Sequence, residues 1–414
     1  MNPLSQKVAM RNRMRDIHDY AGKLEYWKAR ISKCQNSDKG LGFLSHLEAK
    51  GKSTGRIVAY ATRTPKLLNA LTDMQIDVEK MGSKEAELVL SVLLKYAGKG
   101  WTKFQYALLL KKFINYVHTG NSDKDCEAVG WIKPSKYNDD KNPSVDSGDL
   151  LTEEEVLLII SAVQKISKSP ERDTAMLWTL FECALRPGEL LTMRVGDVQF
   201  KDNYCLITAR GKTGPKRGVL ILAYSAMMAW INRHPEKENM DAPLWYNMSA
   251  NCKGEIVGYG YLVKTVKRSA KQAGIKKRVW NYLFRHTQLT RVSPFLRESR
   301  LNVFAGWAQG SKMARRYIHL SGADIEDAVL EMHGLKEPKS VTSKLSPKRC
   351  PRCNSQASPS SKRCAHCGLI LDPLLATEAS EKEKNMMQDV MKRLANLEKL
   401  GAKVDTLFEE MLQK

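Results

Sequence analysis

The sequence predicts a mostly α-helical chain with a small β-hairpin. A helical N-terminal domain precedes a larger α-rich domain, then a cysteine module and a C-terminal helix. Three observations carry this expectation. Apolar residues recur at helical spacing in segment after segment. Residues 204–222 instead read YCLITAR–GKTGPKR–GVLIL, two apolar strands around a Gly/Pro/Lys turn. Four of the nine cysteines fall into two CxxC pairs near the end of the chain.

The 414 residues suffice for two or three domains with sizeable cores, and 43% apolar composition excludes a disordered chain. No apolar run reaches the roughly 18 residues of a membrane span. The start, MNPLSQKVAMRNRMRDI, is basic without the apolar stretch of a secretory signal, so the chain reads as cytoplasmic. Its net charge of +22 points to a polyanionic partner, nucleic acid before an acidic membrane surface. Residues 251–300 hold 12 basic and two acidic side chains, nearly half of the surplus in one window. Residues 1–150 mix 25 basic with 17 acidic side chains, as a solvated face does. The dense block is therefore the candidate phosphate-contacting surface.

Residues 1–35 read as a basic arm in which Tyr20, Leu24, Trp27 and Ile31 keep helical spacing. Residues 36–119 read as a helical domain. Its clearest helix is WTKFQYALLLKKFINYVH, with Thr102 as N-cap and Tyr106, Leu109, Leu110, Phe113, Ile114 and Val117 on one face. Residues 120–149 are polar, with prolines and glycines, and read as a linker. A domain over 150–340 opens with LTEEEVLLIISAVQ, where Thr152 and Glu155 have capping-box spacing. Helices are expected near 172–185, 188–195, 259–273, 281–292, 298–306 and 311–317.

The module at 348–372 reads Cys350-Pro-Arg-Cys353, then Cys364-Ala-His-Cys367. Four thiolates at this spacing close a tetrahedral structural zinc site with no open position for catalysis; a redox dithiol pair is the alternative. His366 reads as a bystander. Over 376–414 a heptad places Met387, Leu394, Gly401 and Phe408 at a, and Val390, Leu397, Val404 and Met411 at d. With seven basic and eight acidic residues, this tail does not bind DNA by charge. It fits a coiled coil joining protomers, weakened by Gly401, or a single amphipathic helix packed on its own chain.

Five short boxes occur in order. They are CALRPGELLTMRVGDV with Arg186 and Glu189; RGKTGPKRGVLIL with Lys212; YLFRH with Tyr282, Arg285 and His286; AGW with Trp307; and YIHL with Tyr317. Together they resemble the tyrosine recombinases, the phage-integrase family, over about residues 150–335. Residues 40–120 resemble that family's helical core-binding domain. The cysteine ribbon, YLFRH and YIHLSG resemble archaeal, element-encoded members. The resemblance implies a site-specific recombinase acting on double-stranded DNA as a tetramer, through a 3′-phosphotyrosine and a Holliday junction. It needs no ATP or catalytic metal, because the phosphotyrosine conserves the phosphodiester energy.

The chemistry suits the residues. Without a metal, a pentavalent phosphate needs fixed cations, and two guanidiniums are always charged, planar and bidentate. Arg186 and Arg285 would form that clamp, and Trp307 would give its N–H to a phosphate oxygen. Tyr317 would attack phosphorus, its phenolate favoured by the cations. By resemblance Lys212 is the general acid for the leaving 5′ oxygen, with Arg210, Lys216 and Arg217 beside it in the same hairpin. Glu189 would orient Arg186. Tyr282 departs from the family's usual His and is a poor base at neutral pH, which leaves the group that activates Tyr317 open. His286 reads as structural. A host Xer-like resolvase, a relaxing topoisomerase and a non-enzymatic zinc-ribbon DNA-binding protein are the alternatives.

Overall fold

The computed structural model describes residues 17–98, 100–137, 145–211, 214–320, 329–330, 332–335 and 343–412. The chain divides into two compact units, Met1–Asp146 and Ser147–Lys414. Among the described residues of the first, six α-helices enclose one core: α1 Tyr20–Ile31, α2 Ser37–Ala49, α3 Thr54–Ala61, α4 Thr64–Asp73, α5 Ser83–Lys95 and α6 Gly100–Thr119. Phe43 on α2 is fully buried and meets the rings of Tyr60, Phe113 and Tyr116.

Three details differ from the sequence expectation. Helix α1, inside the segment read as an arm, buries Leu24 and Ile31 in this same core. Helix α6 starts at Gly100, so Thr102 lies inside its first turn and is not the cap. The first part of the expected linker is packed, because Val129 and Ile132 are fully buried and anchor it. Asp123 there receives Lys50 at 2.7 Å and also pairs with Lys112.

The second unit is built around α8, Pro170–Glu182, whose residues 172–182 are all buried. A helix covered on every side must be apolar nearly all round, and its polar members need partners. Arg172 and Asp173 pair with each other at 2.8 Å, and Tyr261 Oη donates to Asp173 at 2.6 Å. Against α8 pack α7 Glu153–Ile166, α10 Tyr224–Arg233 and α12 Asn281–Val292. The capping box of α7 forms as the sequence predicts: Glu155 N–H donates to Thr152 Oγ1 at 3.2 Å, and Thr152 N–H to Glu155 Oε2 at 2.8 Å.

The sheet is antiparallel in the order β1 Val198–Phe200, β2 Cys205–Gly211, β3 Gly214–Leu220. Strand β1 and helix α10 are not anticipated in the sequence; the first is only three residues long. The hairpin register pairs Ile207 with Gly218 and Ala209 with Lys216. Alternation therefore sends Lys216, Gly218 and Leu220 inward together. A side chain at Gly218 would meet Cys183 Sγ at 2.5 Å, so only glycine lets the hairpin lie this close to α8.

Further α-helices among the described residues are α9 Pro187–Leu191, α11 Tyr259–Gln272, α13 Glu298–Ala305 and α14 Met313–Leu320. A two-stranded ribbon, β4 Lys348–Arg349 and β5 Gln356–Ala357, carries the cysteines, and α15 runs over Pro373–Leu412. The ribbon is docked on the unit: Trp178 Nε1 donates to Ser360 Oγ at 3.1 Å, and Ser358 N–H to Ser225 Oγ at 2.8 Å. Among the described residues no helix is long and apolar enough to cross a membrane.

Candidate active site and cysteine cluster

The site is built on the turn between α8 and α9. Leu185 N–H bonds Leu180 O at 3.1 Å and Ala184 N–H bonds Phe181 O at 2.9 Å, the pattern of a Schellman C-cap. Ala184 occupies the left-handed position at φ 46°, normally glycine's, at a cost of about 1–2 kcal/mol. The turn is over-determined by three successive carbonyls. Gln288 Nε2 donates to Glu182 O at 3.1 Å, Lys216 Nζ to Cys183 O at 2.5 Å and Arg285 Nη1 to Ala184 O at 2.5 Å.

Arg186 follows, and Pro187 starts α9 immediately after it. The Arg186 backbone N–H donates to Glu189 Oε2 at 2.8 Å and its Nη1 to Glu189 Oε1 at 2.5 Å. Arg285, from α12, is almost fully buried, and its Nη1 lies 3.9 Å from Glu189 Oε2. One buried carboxylate therefore serves both guanidiniums. Arg285 Nη2 also donates to Ala305 O at 2.7 Å, and its guanidinium lies 5.5 Å from the centre of the Trp307 ring. Burial, then the neighbouring Arg186 charge, lower the Arg285 pKa to about 10, which leaves it cationic at neutral pH.

Tyr317, from α14, is only 2% exposed. Its ring is near-parallel to that of Trp307, at 5.4 Å and 23°, and to that of His286, at 5.8 Å and 21°. His286 Nδ1 and Tyr317 Oη are 2.8 Å apart. Burial raises the phenol above its ordinary pKa, opposed by Arg285, Arg316 and Arg186. Trp307 is placed by Gly306, whose φ of 65° ends α13 in the left-handed conformation. Tyr282 sits one turn before Arg285 on α12 and is 40% exposed.

Arg186, Arg285, Trp307 and Tyr317 thus meet in one place, with Tyr282 at its edge; Lys212 lies outside the described residues. Of the other hairpin cations, Arg210 is paired with Asp197 at 2.5 Å and Arg217 is exposed. Lys216 is buried over the Phe304 ring, and burial lowers its pKa to about 8. The sequence signal for Lys216 was its parity with Gly218 and Leu220. For His286, read as structural, local sequence offered no signal of a contact 31 residues away.

The thiolates of Cys350, Cys353, Cys364 and Cys367 lie within 4.8 Å of one another, a group that could hold a metal ion. The Cys350–Cys367 and Cys353–Cys364 sulfurs are 3.6 Å apart, far beyond a disulfide bond.

Residues 149–323 match the phage integrase family. This domain belongs to that family, the tyrosine recombinases. A tyrosine recombinase of Synechocystis sp. is 27% identical over 187 residues, 44% of this chain. The chain spans 56% of the length of that relative. XerA of Pyrococcus horikoshii is 23% identical over 259 residues, 62% of this chain and 80% of XerA. Two solved structures share the fold. XerH bound to a palindromic difH substrate, a post-cleavage complex, has a TM-score of 0.53 at 18% identity, covering 77% of this chain and 97% of that one. A lambda integrase tetramer bound to a Holliday junction has a TM-score of 0.51 at 15% identity, covering 72% and 81%.

The shared carboxylate gives a direct test of how the recombinase site is held together. Removing one partner of a buried ion pair typically costs about 3–5 kcal/mol. Glu189→Ala leaves Arg285 facing Arg186 without a counter-charge, so urea denaturation of this variant should show a loss of that order, and Glu189→Gln a smaller one.

Proposed function

We propose that this chain is a site-specific DNA recombinase that cuts and rejoins duplex DNA through a 3′-phosphotyrosine intermediate. The observation that carries the reading is the convergence of two guanidiniums, held by one buried carboxylate, beside a buried phenol. Arg186 and Arg285 bind the non-bridging oxygens of the scissile phosphate. Arg285 uses two of its N–H groups on carbonyls, which leaves donors for a ligand. Trp307 gives its indole N–H to a phosphate oxygen, and Tyr282 its hydroxyl. Tyr317 attacks phosphorus, and the 5′ oxygen leaves with a proton from Lys212. The free 5′ hydroxyl of the partner strand then reverses the step, so the reaction consumes no ATP and calls for no catalytic metal.

The domain roles follow the same reading. Residues 150–340 form the catalytic domain. Residues 36–119, together with α1 and the packed residues up to Ile132, form the core-binding domain. A homotetramer on a specific double-stranded DNA site exchanges strands, as the lambda integrase tetramer on a Holliday junction suggests by its shared fold. The prokaryotic relatives favour a cytoplasmic protein. The four cysteines hold a structural zinc ion over residues 348–372. A tetrahedron with Zn–S near 2.3 Å has edges of about 3.8 Å, close to the observed 3.6 Å. Helix α15 presents Met387, Val390, Leu394 and Leu397 to solvent at heptad spacing, which favours its reading as a coiled coil between protomers over a helix packed on its own chain.

Three experiments test this. A nicked suicide DNA substrate carrying the attachment site should trap a covalent adduct with the intact chain and none with Tyr317→Phe, which should still bind DNA. An adduct in that variant would remove Tyr317 as nucleophile. A strong chelator should release one zinc per chain and expose residues 348–372 to proteolysis while cleavage survives. Finally, Lys264, Lys267 and Arg268 are exposed on α11. Each phosphate neutralised contributes a slope of roughly −0.9 in log K against log salt. Changing all three to Gln should flatten that slope equally for specific and random DNA, because phosphate contacts carry no sequence information.

A further inference from the structure

We propose that His286 is the general base that accepts the phenolic proton of Tyr317. This rests on the recombinase reading above, in which Tyr317 is the nucleophile.

A phenol must lose its proton as it attacks phosphorus, and Tyr282 in the usual His position cannot take it at neutral pH. The His286 imidazole is placed to do so. Its Nδ1 is 2.8 Å from Tyr317 Oη, within proton-transfer reach. It follows Arg285 on α12, so the helix that supplies one phosphate clamp also supplies the base. Burial and the charges of Arg316, on α14, and Arg285, on its own helix, push the His286 pKa down to about 4. The ring is therefore neutral near pH 7, with Nε2–H and a free Nδ1 lone pair as the productive tautomer. A scissile phosphate between the arginines offsets the charges that depress His286. Its proton affinity then rises as substrate arrives, so the base strengthens only on bound DNA.

The step balances. The Tyr317 proton moves to His286 Nδ1 as the Oη–P bond forms. The P–O5′ bond breaks, and the 5′ oxygen takes a proton from the general acid. In ligation the attacking 5′ hydroxyl gives its proton back to the general acid as it forms the P–O5′ bond, the Oη–P bond breaks, and His286 returns the proton to the departing phenolate.

The test is single-turnover cleavage of a suicide substrate by the full-length chain, measured against pH. Variants are His286→Ala, His286→Gln and each chain with fluorotyrosine at position 317, whose phenol is more acidic. General-base catalysis contributes typically about 10²–10⁴-fold. Both substitutions should slow adduct formation by that order with DNA affinity unchanged. Wild type should lose rate only as pH falls and His286 takes up a proton. The variants should instead gain rate as pH rises. Fluorotyrosine should restore much of the loss. Gln keeps a hydrogen-bonding group beside Tyr317 but accepts no proton. A wild-type rate in His286→Gln would therefore reduce His286 to a positioning role and overturn the proposal. Slowing without a changed pH profile or fluorotyrosine rescue would overturn it equally. If His286→Ala does not fold, loss of DNA binding reveals it, and the Gln variant carries the test. A wild-type chain that forms no adduct would instead overturn the recombinase reading itself.

Discussion

Two guanidiniums cannot share a phosphate-sized space without a counter-charge, and the buried carboxylate of Glu189 supplies it. Like charges a few ångströms apart repel strongly wherever water is excluded. Arg285 is buried enough for its proton affinity to fall, so its position depends on an anion near it. Glu189 reaches Arg186 directly and Arg285 at 3.9 Å. Its own burial depends in turn on the hairpin. A side chain on Gly211 would come within 2.7 Å of Glu189 Oε1, so β2 can close over the carboxylate only because that residue is glycine.

The second constraint is backbone. The Schellman turn at Ala184 places three carbonyls in a row toward side chains from α12 and β3. Holding alanine in the left-handed region costs free energy that persists only where surrounding contacts over-determine the conformation. Lys216, Arg285 and Gln288 provide those contacts. A charge-stabilising site works best when its dipoles and cations are fixed before the reaction begins, and this turn fixes both arginines relative to each other.

Much of this was legible in the sequence, because the boxes are local. Thr152 and Glu155 form their capping box, and the hairpin register follows from strands that alternate around a Gly/Pro turn. Glu189 was visible as a partner of Arg186 through its spacing of three residues, the reach of one helical turn. Its service to Arg285 was not, since that depends on packing α9 against α12. His286 was read as structural for the same reason: its contact with Tyr317 exists only once α12 and α14 are docked. At the N-terminal end, polarity suggested an arm and a linker. Leu24, Ile31, Val129 and Ile132 nonetheless bury completely or nearly so, because a few apolar anchors decide packing where average composition does not.

The cysteine ribbon sits on the helix that ends at the arginine turn. Trp178 lies on α8, buried on every side, and its indole N–H is satisfied by Ser360 of the ribbon. An indole buried without a partner costs about 1–3 kcal/mol, so the ribbon completes the polar bookkeeping of the second unit's central helix. Ser358 and Ser361 repeat the attachment through Ser225 on α10. The Trp178 contact falls four residues before the glutamate that opens the Ala184 turn. The ribbon is thus tied by its serines to α10 and to the helix that leads into the arginine turn.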